Sequence, residues 1–246
     1  MAKKTRSGTA ECRAVYDRNT PTEMAVVDRW DGGVGWVAHP DETGVRASHA
    51  VESKDGVWIF DPLWAPGAFD LVSTLGTVAG VVVLSDWHTR DAARFSREFD
   101  CPVQYPSWLR RVGNRLDVPT EREDHRLGES AFVLGRVDGL FPWNEGVAYR
   151  PADGTVISAD VLGTGPVHCA PSERLGVVLA ARLWPPSDAF AGISPDRILV
   201  GHGTGVFDHA EEALEDALEG ARRRLPSAIR YSLLPQLRSG FEALTG

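Results

Sequence analysis

Short apolar runs alternating with amphipathic stretches set the plan of this chain. The run at 57–61 (VWIFD) reads as a strand ending on Asp61 and Pro62. Residues 68–76 (AFDLVSTLG) carry helical spacing and close on Gly76. The β-branched run at 81–85 predicts a buried strand, and 91–99 a helix with Ala92, Phe95 and Phe99 on one face and Arg94 and Arg97 outside. With a further strand at 101–105 (CPVQY), the first half has a βαβαβ rhythm, the mark of crossover connections in a layered α/β fold.

The second half partly repeats this order. Strands are predicted at 131–135, 146–149 and, after the Asp153–Gly154 turn, at 155–160 (TVISAD). A Gly/Pro-rich segment at 162–172 precedes a predicted helix over 173–184, and 198–203 (ILVGHG) reads as a last strand. Asp208 and Glu211 form a capping-box pattern ahead of a stripe of Leu214, Ala217, Leu218, Ala221 and Leu225. Arg222, Arg223 and Arg224 follow in the last turn, where the helix dipole favours cations. Residues 1–20 are polar and expected to fray, leaving one domain over 21–246.

Composition narrows the partners more than the fold. A chain of 246 residues can bury a sizeable core, and 43% hydrophobic with 24% charged residues is ordinary for a soluble globular protein. A net charge of −8 argues against broad affinity for nucleic acid or anionic membranes. Cys12, Cys101 and Cys169 are odd in number and lack C-x-x-C spacing, so a reducing cytoplasm is the expected location. No stretch approaches the roughly 20 apolar residues of a membrane span.

Four predicted strands end on groups able to bind a metal, an anion or a proton. They are Asp61, the cluster of Ser85, Asp86, His88, Arg90 and Asp91, then Asp160, then His202 between two glycines. In open α/β sheets ligands collect at the carboxyl ends of strands. A lone tip aspartate more often caps the next turn. The order of the four carries the argument.

With Asp61 and Pro62 first and Gly201, His202 and Gly203 last, that order resembles the metallo-β-lactamase-fold superfamily over roughly residues 25–222. The resemblance implies a four-layer αββα sandwich of two βαβ-rich halves, α/β (α+β) in class, with metals in a cleft at one edge. Hydrolases of that family carry an H-x-H-x-D-H loop after a strand, a further histidine downstream, a bridging aspartate and a final histidine. Laid over this pattern, Asp86 falls on the first histidine, His88 on the second, Arg90 on the aspartate and Asp91 on the last histidine. Asp160 falls on the bridging aspartate and His202 on the final histidine. The downstream histidine is missing from 141–146 (FPWNEG), where Glu145 is the one candidate ligand.

Two outcomes follow from this incomplete match. In the first, His88, Asp160 and His202, with Asp86 as a fourth donor, hold one divalent ion, zinc or iron. Asp86 or Asp91 then takes the proton of an acidified water, and the substrate is an ester or thioester by resemblance. A second ion is disfavoured by Arg90, since two like unit charges about 4 Å apart repel by roughly 4 kcal/mol at an effective dielectric near 20. In the second outcome the chain keeps the fold without metal and binds a small molecule. Arg90 stands in for the cation there, pairing with Asp91 or Asp160, and Trp87, Trp143 and Trp184 line the cleft or belong to the core. The plainest alternative turns Arg90 to solvent and has Asp91 cap the helix over 91–99. His125 reads as a solvated turn, His39 and His49 lie in a polar stretch without partner spacing, and His168 with Cys169 reads as a loop. The 201–205 turn lacks the lysine of a phosphate-binding loop.

Overall fold

The computed structural model describes residues 14–138 and 144–231. Its larger sheet runs in chain order through β1 (Ala25–Trp30), β2 (Gly33–Val37), β3 (Ala47–Ser53), β4 (Gly56–Phe60), β5 (Val78–Val82), β6 (Val103–Pro106) and β7 (Thr120–Glu123). β1 to β4 form an antiparallel meander, and β4 to β7 are parallel. Helices α1 (Ala68–Ser73) and α2 (Ala92–Phe99) supply the first two crossovers. The smaller sheet contains β8 (Val133–Val137), β9 (Glu145–Arg150), β10 (Thr155–Ser158) and β13 (Arg197–Val200), in the order β13-β10-β9-β8. A two-stranded pair, β11 (Leu162–Gly163) with β12 (Gly176–Val177), lies between them in sequence, and α3 (Ala210–Gly220) follows β13.

Three apolar layers account for the stacking. Trp58, Phe60, Val82 and Leu84 from the larger sheet meet Leu134, Ala148, Ile157 and Leu199 from the smaller one. The larger sheet's other face, through Val57, Ile59, Val81 and Val83, packs on Ala68, Val72, Ala92 and Phe95 of α1 and α2. Val156, Ile198 and Val200 pack on Ala213, Leu214, Ala217 and Ala221. The result is the αββα arrangement. Successive strand residues face opposite sides, which is why both faces of β4 and β5 read as continuous apolar runs.

Several sequence expectations are corrected here. Residues 173–184 do not form the expected helix: Gly176 and Val177 pair with β11, and only Leu179–Ala181 makes a 3-10 turn. Gly176 lies against the backbone of His168, where an added Cβ would come within 2.5 Å of its carbonyl oxygen. Glu173 and Arg182 bury their charges against each other rather than facing solvent as on a helix. The capping box does not form either, because α3 begins at Ala210 with His209 at the N-cap and no side-chain cap bond. The antiparallel meander of β1 to β3 has no counterpart in the sequence reading, and it buries His49 against Asp28 at 3.3 Å. The 121–126 stretch contributes the charged edge strand β7, and such charges keep an exposed edge from pairing with other chains. Of the segment expected to fray, residues 1–13, with Cys12, lie outside the described residues. From Ala14 the chain is held: Thr43 and Gly44 donate to the carbonyls of Ala14 and Val15, and Val15 is buried.

The turn between β9 and β10 gives a first testable consequence. Asp153 accepts from Arg150 Nε and Nη2 at 2.9 and 2.7 Å and from Arg197 Nη1 at 2.9 Å. Burial alone would raise its carboxyl, but the bonds and charge of Arg150, with Arg197, hold it at about 2. Its folded pKa lies below the unfolded value, so its contribution is complete above pH 4 and vanishes as pH falls toward 2. Screening at this half-exposed position limits it to about 1 kcal/mol. Asp153→Asn is expected to lower the denaturation midpoint at pH 6 and to leave it unchanged near pH 2. An equal loss at both pH values would remove the ion pairs as the cause.

Candidate functional site

Backbone seams join the two sheets on either side of the strand ends that carry His88, Asp160 and His202. On one side Gly146 donates to Leu84 at 2.7 Å and Asp86 to Asn144 at 3.1 Å. On the other, Ala47 donates to Gly201 at 2.9 Å and Gly203 to Val45 at 2.9 Å. Gly201 is required there: a Cβ would stand 2.3 Å from the Ala159 carbonyl oxygen. That close approach of the ends of β13 and β10 carries His202 to Asp160.

His88, Asp160 and His202 converge, each offering one donor atom, with the three atoms within 4.8 Å of one another. Asp160 Oδ1 lies 2.9 Å from His88 Nε2 and 3.2 Å from His202 Nε2. The outer atom of each donor group faces a partner of its own. His202 Nδ1 donates to the Gly44 carbonyl at 2.8 Å, and Asp160 Oδ2 accepts the Ser85 hydroxyl at 2.6 Å. His88 Nδ1 is buried, lacks a hydrogen bond and faces Asp61 Oδ2 at 3.6 Å. Such outer contacts fix the tautomer and aim of metal-binding side chains.

Two imidazoles and one carboxylate suit a single zinc or iron(II) ion with open positions left over. A full dinuclear set is not assembled among the described residues. Asp86 spends one oxygen on the Arg111 N–H at 2.9 Å and the other on Asn144, at 3.1 Å to N and 2.8 Å to Nδ2. Asp91 accepts the Trp64 N–H at 2.7 Å and makes no side-chain bond to its own helix. Neither is brought to the three donors, so the fourth-ligand and proton-acceptor roles expected of Asp86, and the acceptor role expected of Asp91, find no geometric support.

Arg90 turns inward rather than to solvent, and it pairs with neither Asp91 nor Asp160. Its Nη1 donates to the carbonyls of Ala47 and Asp61 at 2.6 and 2.8 Å, and its Nη2 to Gly201 at 3.1 Å. Nη2 also comes within 3.4 Å of His88 Nε2. The guanidinium thus ties the ends of β3, β4 and β13 together beside the donor group, where the resemblance had a metal-binding aspartate.

The sequence analysis named Ser85 and Glu145 without the roles they take here, and it left His168 in a loop. Glu145 is fully buried, and its Oε1 accepts the N–H groups of Ala159, Asp160 and Val161 and the Ser158 hydroxyl at 3.0–3.1 Å. Its other oxygen has no partner. Burial first, and then the charge of Asp160, push its carboxyl up to about 8 despite those backbone bonds, so it is a neutral acid at neutral pH. Ser85 orients Asp160, as described. His168 meets the Asp160 carbonyl through Nε2 at 2.7 Å, and burial followed by His202 lowers it to about 3. Its spacing to Asp160 carries no motif; only the fold brings it there.

Electrostatics follow from the same contacts. Burial would raise Asp160, but His88 and then His202 hold it well below the usual carboxylate range. Burial and Arg90 would lower His88, yet Asp160 and Asp61 keep it above its ordinary value. His202 is lowered, chiefly by burial. Trp87 is half-buried beside the site, Trp184 is 74% exposed and does not line it, and Trp143 lies outside the described residues.

No family model matches the sequence, and no curated protein matches it. Solved structures do match. A metallo-β-lactamase from Hirschia baltica aligns with a TM-score of 0.55 and 10% identity over 80% of this chain and 97% of its own. One from Pontibacter korlensis gives 0.55 and 12% over 80% and 99%. A flavo di-iron protein variant from Thermotoga maritima gives 0.58 and 13% over 81% of this chain and 63% of that longer one.

Proposed function

We propose that this chain, which has the metallo-β-lactamase fold, is a hydrolase-like protein whose single divalent ion, zinc or iron, is held by His88, Asp160 and His202. The convergence of two buried imidazoles on the partly exposed Asp160, with His202 and Asp160 hydrogen-bonded on their outer side, is the observation that supports this reading. When bound there, an ion supplies Lewis acidity and an acidified water for opening an ester or thioester. His202 presents Nε2 because Gly44 takes its Nδ1 proton, and Ser85 keeps Asp160 Oδ1 turned inward. The Asp160 side chain, 18% exposed, is the most open of the three and the one that meets small molecules in the cleft. Glu145 holds the loop after β10 so that Asp160 keeps this aim. The acidic net charge supports a small-molecule substrate over nucleic acid, and no helix among the described residues is long and apolar enough to cross a membrane.

A metal-free binding protein is the second reading, favoured by the fixed charge of Arg90 at 3.4 Å from His88 Nε2. Elemental analysis of protein purified without chelator separates the two. About one equivalent of zinc or iron is expected in the wild type, and less than about a tenth in Asp160→Asn, which keeps the shape but weakens the oxygen donor. A wild-type protein with less than a tenth of an equivalent, and unchanged by added zinc or iron, would leave the metal-free reading in its place.

A further inference from the structure

Beside the donor group lies a cluster of cations that the hydrolytic reading does not use. The loop after β6 makes a 3-10 turn at Gly113–Arg115. It lays the Arg111 guanidinium 4.5 Å from the centre of the Trp87 ring, with Arg115 at 5.6 Å from the same ring. The loop is locked to the strand end that carries His88: the Arg111 N–H bonds Asp86 Oδ1 at 2.9 Å, and Arg115 Nη1 bonds the Asp86 carbonyl at 3.2 Å. Trp87 separates Asp86 from His88, and consecutive Cα atoms are about 3.8 Å apart.

What distinguishes these arginines is that two of them converge on one indole ring while, among the described residues, neither guanidinium meets a carboxylate. Arg46, Arg150, Arg182, Arg197 and Arg224 each meet a carboxylate. Among the described residues no carboxylate pairs with Arg111 or Arg115, or with exposed Arg110 next to them. Two like charges drawn to one indole repel each other, and the Asp86 carboxylate is spent on the Arg111 N–H and on Asn144 rather than on either guanidinium. A contact with the ring occupies only the flat face of a guanidinium, so the in-plane N–H donors of Arg111, and those of Arg115 other than Nη1, which bonds the Asp86 carbonyl, can meet an oxyanion two at a time. A local positive field on an acidic protein also draws anionic small molecules toward the cleft.

We propose that Arg111 and Arg115, stacked on Trp87, form a subsite for a carboxylate or phosphate group carried by the substrate, which makes the ester or thioester opened here an anionic one. The substrate assignment rests on the hydrolytic reading; the anion subsite does not. The test is calorimetric titration of the full-length, chelator-treated protein at low salt with inorganic phosphate and, separately, with acetate. Without metal, any anion held at the three-donor group would be held by His88 and Arg90, which the arginine variants below leave in place. Saturable binding of at least one is expected, and the tighter of the two identifies the group. Arg111→Gln with Arg115→Gln should weaken it at least tenfold, whereas Arg222→Gln with Arg223→Gln should leave it unchanged. If the first pair impairs folding, Trp87→Leu and Arg111→Gln singly should each weaken binding by severalfold. Absence of saturable binding to the wild type, or binding indifferent to Arg111 and Arg115, overturns the proposal. Metal content is read separately, so a metal-free protein that binds phosphate through these arginines refutes the hydrolytic reading alone.

Discussion

Replacing Arg90 by methionine is expected to destabilise the folded chain by about 3–5 kcal/mol. The guanidinium donates to three backbone carbonyls, those of Ala47, Asp61 and Gly201, at the ends of three strands. The latter two keep a second donor, the Ser48 hydroxyl and the Ala47 N–H respectively. The Ala47 carbonyl has the most to lose. Bonds from a charged donor contribute about 1.5–3 kcal/mol each, and part of that total is recovered where the second donor remains. Arg90→Lys keeps the charge but offers a compact ammonium that cannot reach three acceptors in a plane, so it should recover less than half of the loss. Urea denaturation of the three proteins reads this directly, through the midpoint at constant slope. A loss below about 1 kcal/mol would mean that the carbonyls find other donors and that Arg90 is no strut. The methionine variant also removes a positive charge beside His88, so zinc retention by whatever fraction folds should tighten rather than weaken.

Glu145→Gln should change how stability depends on pH, by about 3–5 kcal/mol across the titration range. Burial and Asp160 raise the folded carboxyl to about 8, against an ordinary value of 4.5. The sign follows. Below pH 4.5 the acid is protonated in both states and burial carries no ionisation penalty. From pH 4.5 to 8 the unfolded chain ionises while the folded one keeps its proton, so wild-type stability falls by about 1.4 kcal/mol per pH unit. Above pH 8 both ionise and the difference levels off. Glutamine retains an oxygen for the 159–161 N–H groups and does not titrate. Its second position brings a buried N–H₂ where Oε2 has no partner, a cost of about 1–3 kcal/mol that is independent of pH. The stability difference between variant and wild type should therefore shift in favour of glutamine from pH 4.5 to pH 8. Parallel pH profiles for the two proteins would count against a neutral Glu145.

The sequence was most legible where one physical signal dominated. β4 announces itself because a strand buried on both faces must be apolar throughout, and α2 because Ala92 and Phe95 recur at helical spacing; β5 lies within the same apolar run but spans Val78–Val82, three residues ahead of the expected 81–85. β1 to β3 were silent: glycines and buried polar residues such as Asp28, Ser48 and His49 break the alternation, and their partners lie far along the chain. Glu173 and Arg182 misled for a related reason, since a charge buried against its partner looks the same in sequence as one in water. The donor group itself was visible as strand-tip residues. What could not be read was direction. Asp86 and Asp91 have the same composition whether they face a metal or a backbone N–H, and only the neighbouring 111 and 64 amides decide it. Glu145 stands where a histidine was expected, and its role as an acceptor for three successive N–H groups depends on a register between β9 and β10 that no local pattern encodes.

The paired backbone seams, 84–86 with 144–146 and 45–47 with 201–203, have a kinetic consequence. A clam-shell opening of the two halves would have to break main-chain bonds at both rims at once. Access to the donor group must then proceed by rearrangement of side chains and surface loops while the sheets stay closed, and amides 47, 86, 146 and 203 should exchange with deuterium only as slowly as the whole domain unfolds.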